Sequence, residues 1–299
     1  KVFLIDNLST GHRKLINKKA KFFKLDIHNK NKVKSIIENH QIDSIIHLAA
    51  NLIIGEGQKK PEKYYKNNVL GTQKLLEACQ KTKVKNLIFS STAAIYKEGQ
   101  YQVSEKSTIK PKSIYGKTKI KAESLIKKFA KKNKINYGIL RYFNIAGSSP
   151  SGKIGLINKN SDNLFKNFST EVIKNKPKLK IYGTNYKTKD GTCIRDFIHV
   201  SDIAEIHYLV LEKINKFNVS KILNCGYNKG ISVLQVAKEF ERISQKKISI
   251  IYSKRRNNDL IKIIASNKNL KKFINWKPKF NNLGKIIKSC IVWEKKLNK

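Results

Sequence analysis

Apolar residues in this chain come in short, nearly unbroken runs, separated by longer stretches with helical spacing. Val2, Phe3, Leu4 and Ile5 stop at Asp6, and the turn-forming residues Asn7 to Gly11 follow. AKFFKLDI (20–27), SIIHLAA (44–50), NLIFSST (86–92) and INYGILRYFN (135–144) read the same way. Between them, NKVKSIIENH (31–40) and the stretches 64–82 and 113–133 place apolar residues three or four apart. Strands that are apolar throughout are buried on both faces, so this alternation predicts a doubly wound parallel sheet, an α/β fold. Beyond residue 146 the pattern loosens, and Gly, Ser, Pro and Asn gather at 147–163. We read 1–146 as the sheet domain and 147–299 as a smaller α/β lobe, with part of 190–225 returning to the first domain.

In an open parallel sheet, ligands bind outside the carboxyl ends of the strands. Those ends carry Asp6, Asp26-Ile27, His47-Leu48-Ala49-Ala50, Ser90-Ser91-Thr92 and Phe143-Asn144. A glycine-rich turn that cradles a pyrophosphate is expected after the first strand, yet GxGxxG occurs nowhere. The acidic residue of that fingerprint sits ~20 residues beyond its glycines, at the tip of the second strand, and Asp6 fits that place. The expectation is therefore that a first strand, its glycine turn and a helix are missing ahead of Lys1, about 25 residues in a unit of this kind. Such a chain is expected to bind a dinucleotide poorly. The absence of methionine points the same way.

Composition narrows the classes. With 40% hydrophobic and 28% charged residues, the 299-residue chain is neither a disordered nor a collagen-like polymer. No apolar stretch approaches the ~18 residues that cross a bilayer, so no membrane partner is expected. Cys79, Cys193, Cys225 and Cys290 are far apart and form no CxxC pair, which suits a reducing cytoplasm and predicts no metal site. The formal charge of +42 comes from 57 Lys against only 6 Arg, spread along the whole chain. It carries no aromatic-interleaved RNA motif, and drift toward Lys, Asn and Ile codons accounts for it without a nucleic-acid partner. Where lysine is the default cation, arginine marks positions that need a planar fork, which singles out Arg195 and Arg255–Arg256.

The sharpest local signal is SIYGKTK (113–119), which puts Tyr115 and Lys119 on one helical face. A free phenol, with a pKa of about 10, is too weak a base at neutral pH. A nearby ammonium stabilises the phenolate, and the pair can take a proton from an alcohol whose carbon loses hydride. YxxxK alone recurs by chance in so lysine-rich a chain. Its weight comes from following a Ser/Thr-rich strand end able to bind the same hydroxyl.

With DNLSTG (6–11), LDI (25–27), HLAA (47–50), YYKNNVLGT (64–72), FSSTAAIY (89–96), LRYFNIAG (140–147), DGTCIRDFIHVSDIA (190–204) and NWKP (275–278), the chain resembles the extended short-chain dehydrogenase/reductase superfamily from end to end. Within it, the resemblance is to the UDP-glucose 4-epimerases, with an NAD cofactor in a Rossmann-like domain. The resemblance implies that Asp6 binds the adenosine ribose, favouring NAD over NADP despite Arg13 nearby, with Asn7 beside it. Asp26 and Ile27 would bracket the adenine, Leu48, Ala49 and Ala50 would pass under the cofactor, and Asn67 would reach it from a helix. Thr92 would hold the sugar hydroxyl beside the base Tyr115. Lys119 would hold the nicotinamide ribose and depress the tyrosine pKa, and Phe143 would line the nicotinamide pocket. Asn144, Asn163, Leu164, Lys180, Ile181, Tyr182, Arg195, Arg256 and Asp259 would bind the UDP-sugar. His47 and His199 read as packed histidines rather than catalytic ones. A homodimer is implied through helices near 67–82 and 115–131.

Dehydratase relatives place Asp-Glu directly after the threonine, and decarboxylating relatives a Glu two positions on. Here Ala93 and Ala94 stand there and transfer no protons. That leaves oxidation and re-reduction at one carbon, the 4-epimerisation of a UDP-hexose. A UDP-pentose or UDP-hexuronate epimerase and a truncated, non-catalytic binding protein remain as alternatives. The sequence departs from the pattern at Leu52, where many epimerases have lysine, at Lys97 in place of glycine, and at Asn258 in the RxGD-like segment 256–259.

Overall fold

The structure, a computed structural model, describes residues 1–158, 161–256 and 259–298. The departure at Asn258 lies outside the described residues. The chain forms two compact units, the first from 1–95, 111–141 and 207–223, the second from 96–110, 142–206 and 224–299.

The first unit holds β1 (Phe3–Asp6), β2 (Lys21–Lys24), β3 (Ser44–His47), β4 (Asn86–Thr92), all but the last residue of β6 (Asn136–Tyr142) and the start of β10 (Lys221–Cys225), leaving β5 (Gln102–Val103) to the second. Its helices are α1 (Lys30–Asn39), α2 (Ile54–Lys59), α3 (Pro61–Tyr64), α4 (Gly71–Cys79) and α5 (Ile114–Asn133). The strands make two ladders, β1–β2 and β10–β6–β4–β3, in keeping with the parallel α/β fold expected. Both β1–β2 and β3–β4 are parallel. Ile5 of β1 and Ile45 of β3 pack on the same core cluster, built on Val33, Ile37, Leu75 and Cys79, yet no described strand joins their edges.

Helices cover both faces, as continuous apolar strands require. Leu87 and Phe89 of β4 pack with Leu76 of α4 and with Ala122 and Ile126 of α5. Ile88 points the other way, and at Gly138 an added Cβ would lie 2.6 Å from Ile88 and 2.9 Å from Val210. Val210 belongs to α7 (Val200–Phe217). Each such side chain contributes about 1.5–3 kcal/mol on full burial.

Some expected boundaries shift. The strand run 20–27 stops at Lys24, because the carboxylate of Asp26 accepts the backbone N–H of His28 at 2.9 Å and turns the chain. The helical stretch 64–82 contains a π-helical turn, Tyr65–Leu70, before α4. Its buried Asn68 accepts the N–H of Asn51 at 2.8 Å and donates to the Thr118 hydroxyl at 3.1 Å, so the turn is held by side-chain bonds. The run 135–144 divides at Phe143, after which β7 (Asn144–Ala146) pairs with β9 (Ile194–His199).

In the second unit β9 is central: β7 and β13 (Lys262–Ala265) lie parallel to it and β11 (Gly230–Ser232) antiparallel. A parallel pair, β8 (Lys178–Tyr182) and β12 (Ser249–Ser253), stands apart. Helices α6 (Leu164–Val172), α8 (Val233–Ser244), α9 (Lys268–Ile274) and α10 (Leu283–Leu297) complete it. Phe165, Phe168, Phe197 and Phe240 form an aromatic cluster between α6, α8 and β9. Among the described residues, no helix is long and apolar enough to cross a membrane.

Candidate active site

Helix α5 begins where Ser113 accepts the backbone N–H of Gly116 at 3.1 Å, an N-cap that fixes the first turn. Gly116 admits a close approach there: an added Cβ would sit 2.5 Å from the carbonyl oxygen of Ala94. This contact presses the start of α5 against the residues following β4. Tyr115 is thereby set beside Thr92, near enough for the threonine side chain to favour the phenolate. The Thr92 oxygen accepts the N–H of Ala94 at 3.1 Å. One turn later Lys119 is 2% exposed, and its ammonium donates to the Ser90 carbonyl at 2.7 Å. It lies 4.8 Å from the Phe89 ring centroid and 5.8 Å from that of Tyr115.

Burial dominates the electrostatics. It pulls Lys119 down to about 7, against the field of Glu123, which favours the charged form. Tyr115, partly exposed by surface yet closely surrounded by protein atoms, is pushed up to about 12 by desolvation, with the nearby Thr92 side chain opposing. The ammonium is engaged with Ser90, and desolvation of the phenolate outweighs everything else. His47 is packed, 3% exposed, bonded to the Thr72 hydroxyl at 2.9 Å and pulled down to about 3 by burial and then by Lys119. His199 is likewise enclosed, stacked 4.4 Å from Phe280.

The strand tips of the first unit carry the other expected groups. Asp6 accepts the Leu8 N–H at 2.6 Å, and the turn closes so tightly that an added Cβ on Gly11 would lie 2.9 Å from its carboxylate. Asn7 donates to Asp26 at 2.8 Å. Burial opposes charge on Asp26, but bonds from the His28 N–H, Asn7 and the His28 ring hold its pKa below the usual range. Asp26 does not cap α1, because Asn29 does. Ile27 packs near Gly71, Leu48 is 59% exposed, Ala49 is exposed, and Ala50 is half-buried. Asn67 sits in the π-helical turn and donates to Asn68 at 3.2 Å. No glycine-rich turn of the GxGxxG kind is present among the described residues.

In the second unit Phe143 is buried, its N–H donating to the Cys225 carbonyl at 3.2 Å, and Asn144 is exposed at the start of β7. Asn163 caps α6, accepting the Lys166 N–H at 3.1 Å and donating to the Ile145 carbonyl at 2.9 Å, and Leu164 is the first residue of that helix. On β8, Lys180 is exposed, Tyr182 half-buried and Ile181 fully buried, so Ile181 offers a ligand its backbone only. Arg195 is hydrogen-bonded and ion-paired with Asp259 and donates to the carbonyls of Leu260 at 2.6 Å and Ile194 at 2.8 Å. Asp259 also accepts the Tyr186 hydroxyl at 3.1 Å. Arg256 lies 4.3 Å over the Tyr182 ring and Arg255 3.9 Å over that of Tyr186. Arg195 and Asp259, expected as separate ligand contacts, are thus first partners of each other.

Sequence reasoning missed the buried support of this helix. Ser91 donates to Glu123 at 2.5 Å, and Arg141 donates to both Glu123 oxygens, at 3.1 and 2.8 Å. Two signals pointed there: Glu123 follows Lys119 by four residues, and Arg141 is one of the few arginines in a lysine-rich chain.

A phenol and an ammonium one turn apart on a helix, facing a Ser/Thr strand end in a doubly wound α/β unit, define a dehydrogenase-like class of alcohol-handling protein. The profile of the NAD dependent epimerase/dehydratase family matches residues 1–226, and the chain belongs to that family. The UDP-glucose 4-epimerase of Azospirillum brasilense is 33% identical over 294 residues, covering 98% of this chain and 84% of that protein. Among solved structures, the UDP-glucose-4-epimerase of Stenotrophomonas maltophila with bound NAD and formylated UDP-arabinopyranose superposes with a TM-score of 0.94 at 28% identity, over 99% of this chain and 91% of the other. The Bifidobacterium longum UDP-glucose 4-epimerase in complex with NAD+ and UDP gives 0.91 at 28% identity, with the same coverage.

Proposed function

We propose that the protein interconverts UDP-glucose and UDP-galactose by inverting the hexose C4, with NAD held through the cycle. The observation that carries this reading is the buried Lys119 ammonium held on the Ser90 carbonyl at 2.7 Å, one helical turn from Tyr115, with Ala93 and Ala94 following Thr92. It provides one proton-transferring group and no second acid or base at the positions where elimination needs them. The kinship with UDP-glucose 4-epimerases supports the substrate.

The residues fit the two ends of a dinucleotide. Asp6 offers a strand-tip carboxylate to a ribose diol, small Ala49 and Ala50 allow close approach, and Lys119 is a donor for the second ribose. When bound, NAD supplies the acceptor that takes hydride from C4 and returns it. Tyr115 receives the proton of the 4-hydroxyl while Thr92 holds that oxygen. Lys119, kept against the strand tip by the Ser90 carbonyl, donates toward the ribose and favours the phenolate whenever it is protonated. Tyr115 returns the proton after the 4-keto sugar has turned about its link to the diphosphate. Phe143 lines the reacting end, and Asn144, Asn163, Leu164, Lys180, Ile181 and Tyr182 hold the nucleotide sugar. Arg195, Arg256 and Asp259 take the uridine and diphosphate, a charge best met by forked guanidinium groups.

A UDP-pentose is the second reading, favoured by the arabinopyranose derivative in the Stenotrophomonas relative. Four buried free cysteines suit the cytoplasm, and a homodimer through the helices near 67–82 and 115–131 completes the proposal.

Incubation with UDP-galactose and NAD, followed by proton NMR of the anomeric signals, tests this. UDP-glucose should appear, and Tyr115→Phe should lower the rate by about 10²–10⁴-fold with the fold intact. A protein that interconverts no UDP-sugar would sink the proposal.

A further inference from the structure

Beneath Tyr115 and Lys119, helix α5 places a third group on the same face. Glu123 lies four residues beyond Lys119 and eight beyond Tyr115, so the three form a row along the helix. Two of them are bound to neighbouring residues of the β4 tip, and the third stands beside the next. Lys119 donates to the Ser90 carbonyl at 2.7 Å, Glu123 accepts the Ser91 hydroxyl at 2.5 Å, and Tyr115 lies by Thr92.

Glu123 is 0% exposed and Arg141, on β6, is 2% exposed. The guanidinium grips the carboxylate through two nitrogens, at 3.1 and 2.8 Å, a forked geometry that fixes its plane. A buried ion pair contributes little net stability compared with well-packed apolar residues, so stability alone is a weak account of it. Its position accounts for more: the pair ties α5 to β6, and the same carboxylate, through Ser91, ties α5 to the strand that carries Thr92.

We infer that Glu123, clamped by Arg141, is a positioning residue for the alcohol-oxidising step. It locks the β4 tip through Ser91 and keeps a fixed negative charge one turn from the Lys119 ammonium. This rests on the proposed role of Tyr115 and Lys119.

The other ionisable groups near this row are few. His47 on β3 is neutral at physiological pH, and the buried Tyr64 on α3 donates to the Ile53 carbonyl at 2.6 Å. Glu56 on α2 is bonded to Lys63 and Tyr64. Glu123 is the carboxylate whose field favours the charged lysine, against burial. Replacing it by glutamine should therefore move the Lys119 titration to lower pH.

The test uses protein labelled with ¹³C at the lysine ε-carbons, titrated by NMR, with the Lys119 signal assigned by its loss in Lys119→Met. In the unmodified protein this signal should titrate near neutrality. Glu123→Gln should shift its midpoint down by about half a pH unit or more and lower kcat at least tenfold, with little change in KM for the UDP-sugar. Ser91→Ala keeps every charge, so it should leave the titration in place and lower kcat several-fold. If Glu123→Gln does not fold, Ser91→Ala decides, and an unchanged kcat there overturns the inference. A folded Glu123→Gln with unchanged titration and kcat overturns it too. A shifted titration in a protein that turns over no UDP-sugar would support the positioning and reject only the proposed activity.

Discussion

The ammonium of Lys119 donates to the backbone carbonyl of Ser90 at 2.7 Å, which anchors a buried cation to the strand that carries Thr92. Burial lowers its pKa to about 7, so it changes charge within the range where the proposed reaction runs. Lys119→Met keeps the stem and removes the charge. The fold should survive with equal or higher thermal stability, because an apolar replacement of a buried charge avoids desolvation. UDP-sugar turnover should fall by about 10²-fold or more, and circular dichroism melts run beside the NMR assay separate the two effects.

His47 gives a stability prediction with a definite sign. Its folded pKa is about 3, against the ordinary 6.5. Between those values the unfolded chain binds a proton that the folded chain refuses, so stability falls as pH drops below 6.5 toward 3. His47→Gln can still donate to Thr72 but does not titrate. In urea unfolding, its stability relative to the parent should improve by up to ~3 kcal/mol between pH 7 and 4.5. A constant difference across that range would contradict the assignment.

Gly116 is required by proximity rather than by an unusual backbone angle. Gly116→Ala would drive a methyl to 2.5 Å from the Ala94 carbonyl oxygen and 2.9 Å from Pro111. The start of α5 must then shift, at a cost of about 1–3 kcal/mol. Tyr115 would move away from Thr92, so both the melting temperature and kcat should drop.

Arg195 offers a planar fork that lysine does not reproduce. Arg195→Lys should weaken UDP binding about tenfold or more by calorimetry, while kcat at saturating UDP-sugar changes much less. The Asp259 pair makes part of this loss structural, so a melt is needed alongside. Unchanged UDP affinity would remove Arg195 from the proposed diphosphate site.

Much of the first unit was legible because its strands are apolar on both faces and its α-helices keep a regular spacing. SIYGKTK showed Tyr115 and Lys119 because a four-residue interval on a helix is also a spatial relationship. The pairing of Arg195 with Asp259 was hidden, since 64 residues separate them and only the fold brings them together. Glu123 and Arg141 were hidden for the same reason, although the scarcity of arginine marked one of them. The shift of Tyr115 to about 12 was also out of reach, because desolvation depends on which atoms surround the phenol. Periodicity missed the π-helical turn at Tyr65–Leu70, which is set by the side-chain bonds of Asn68.

The most direct test of the central claim is to run the conversion of UDP-galactose in D₂O with NAD present and examine C4 of the product. Hydride that leaves C4 and returns within one active site does not exchange with solvent. UDP-glucose should therefore form with its C4 hydrogen fully retained and with no net accumulation of reduced cofactor. Deuterium at C4, or no conversion at all, would contradict the account.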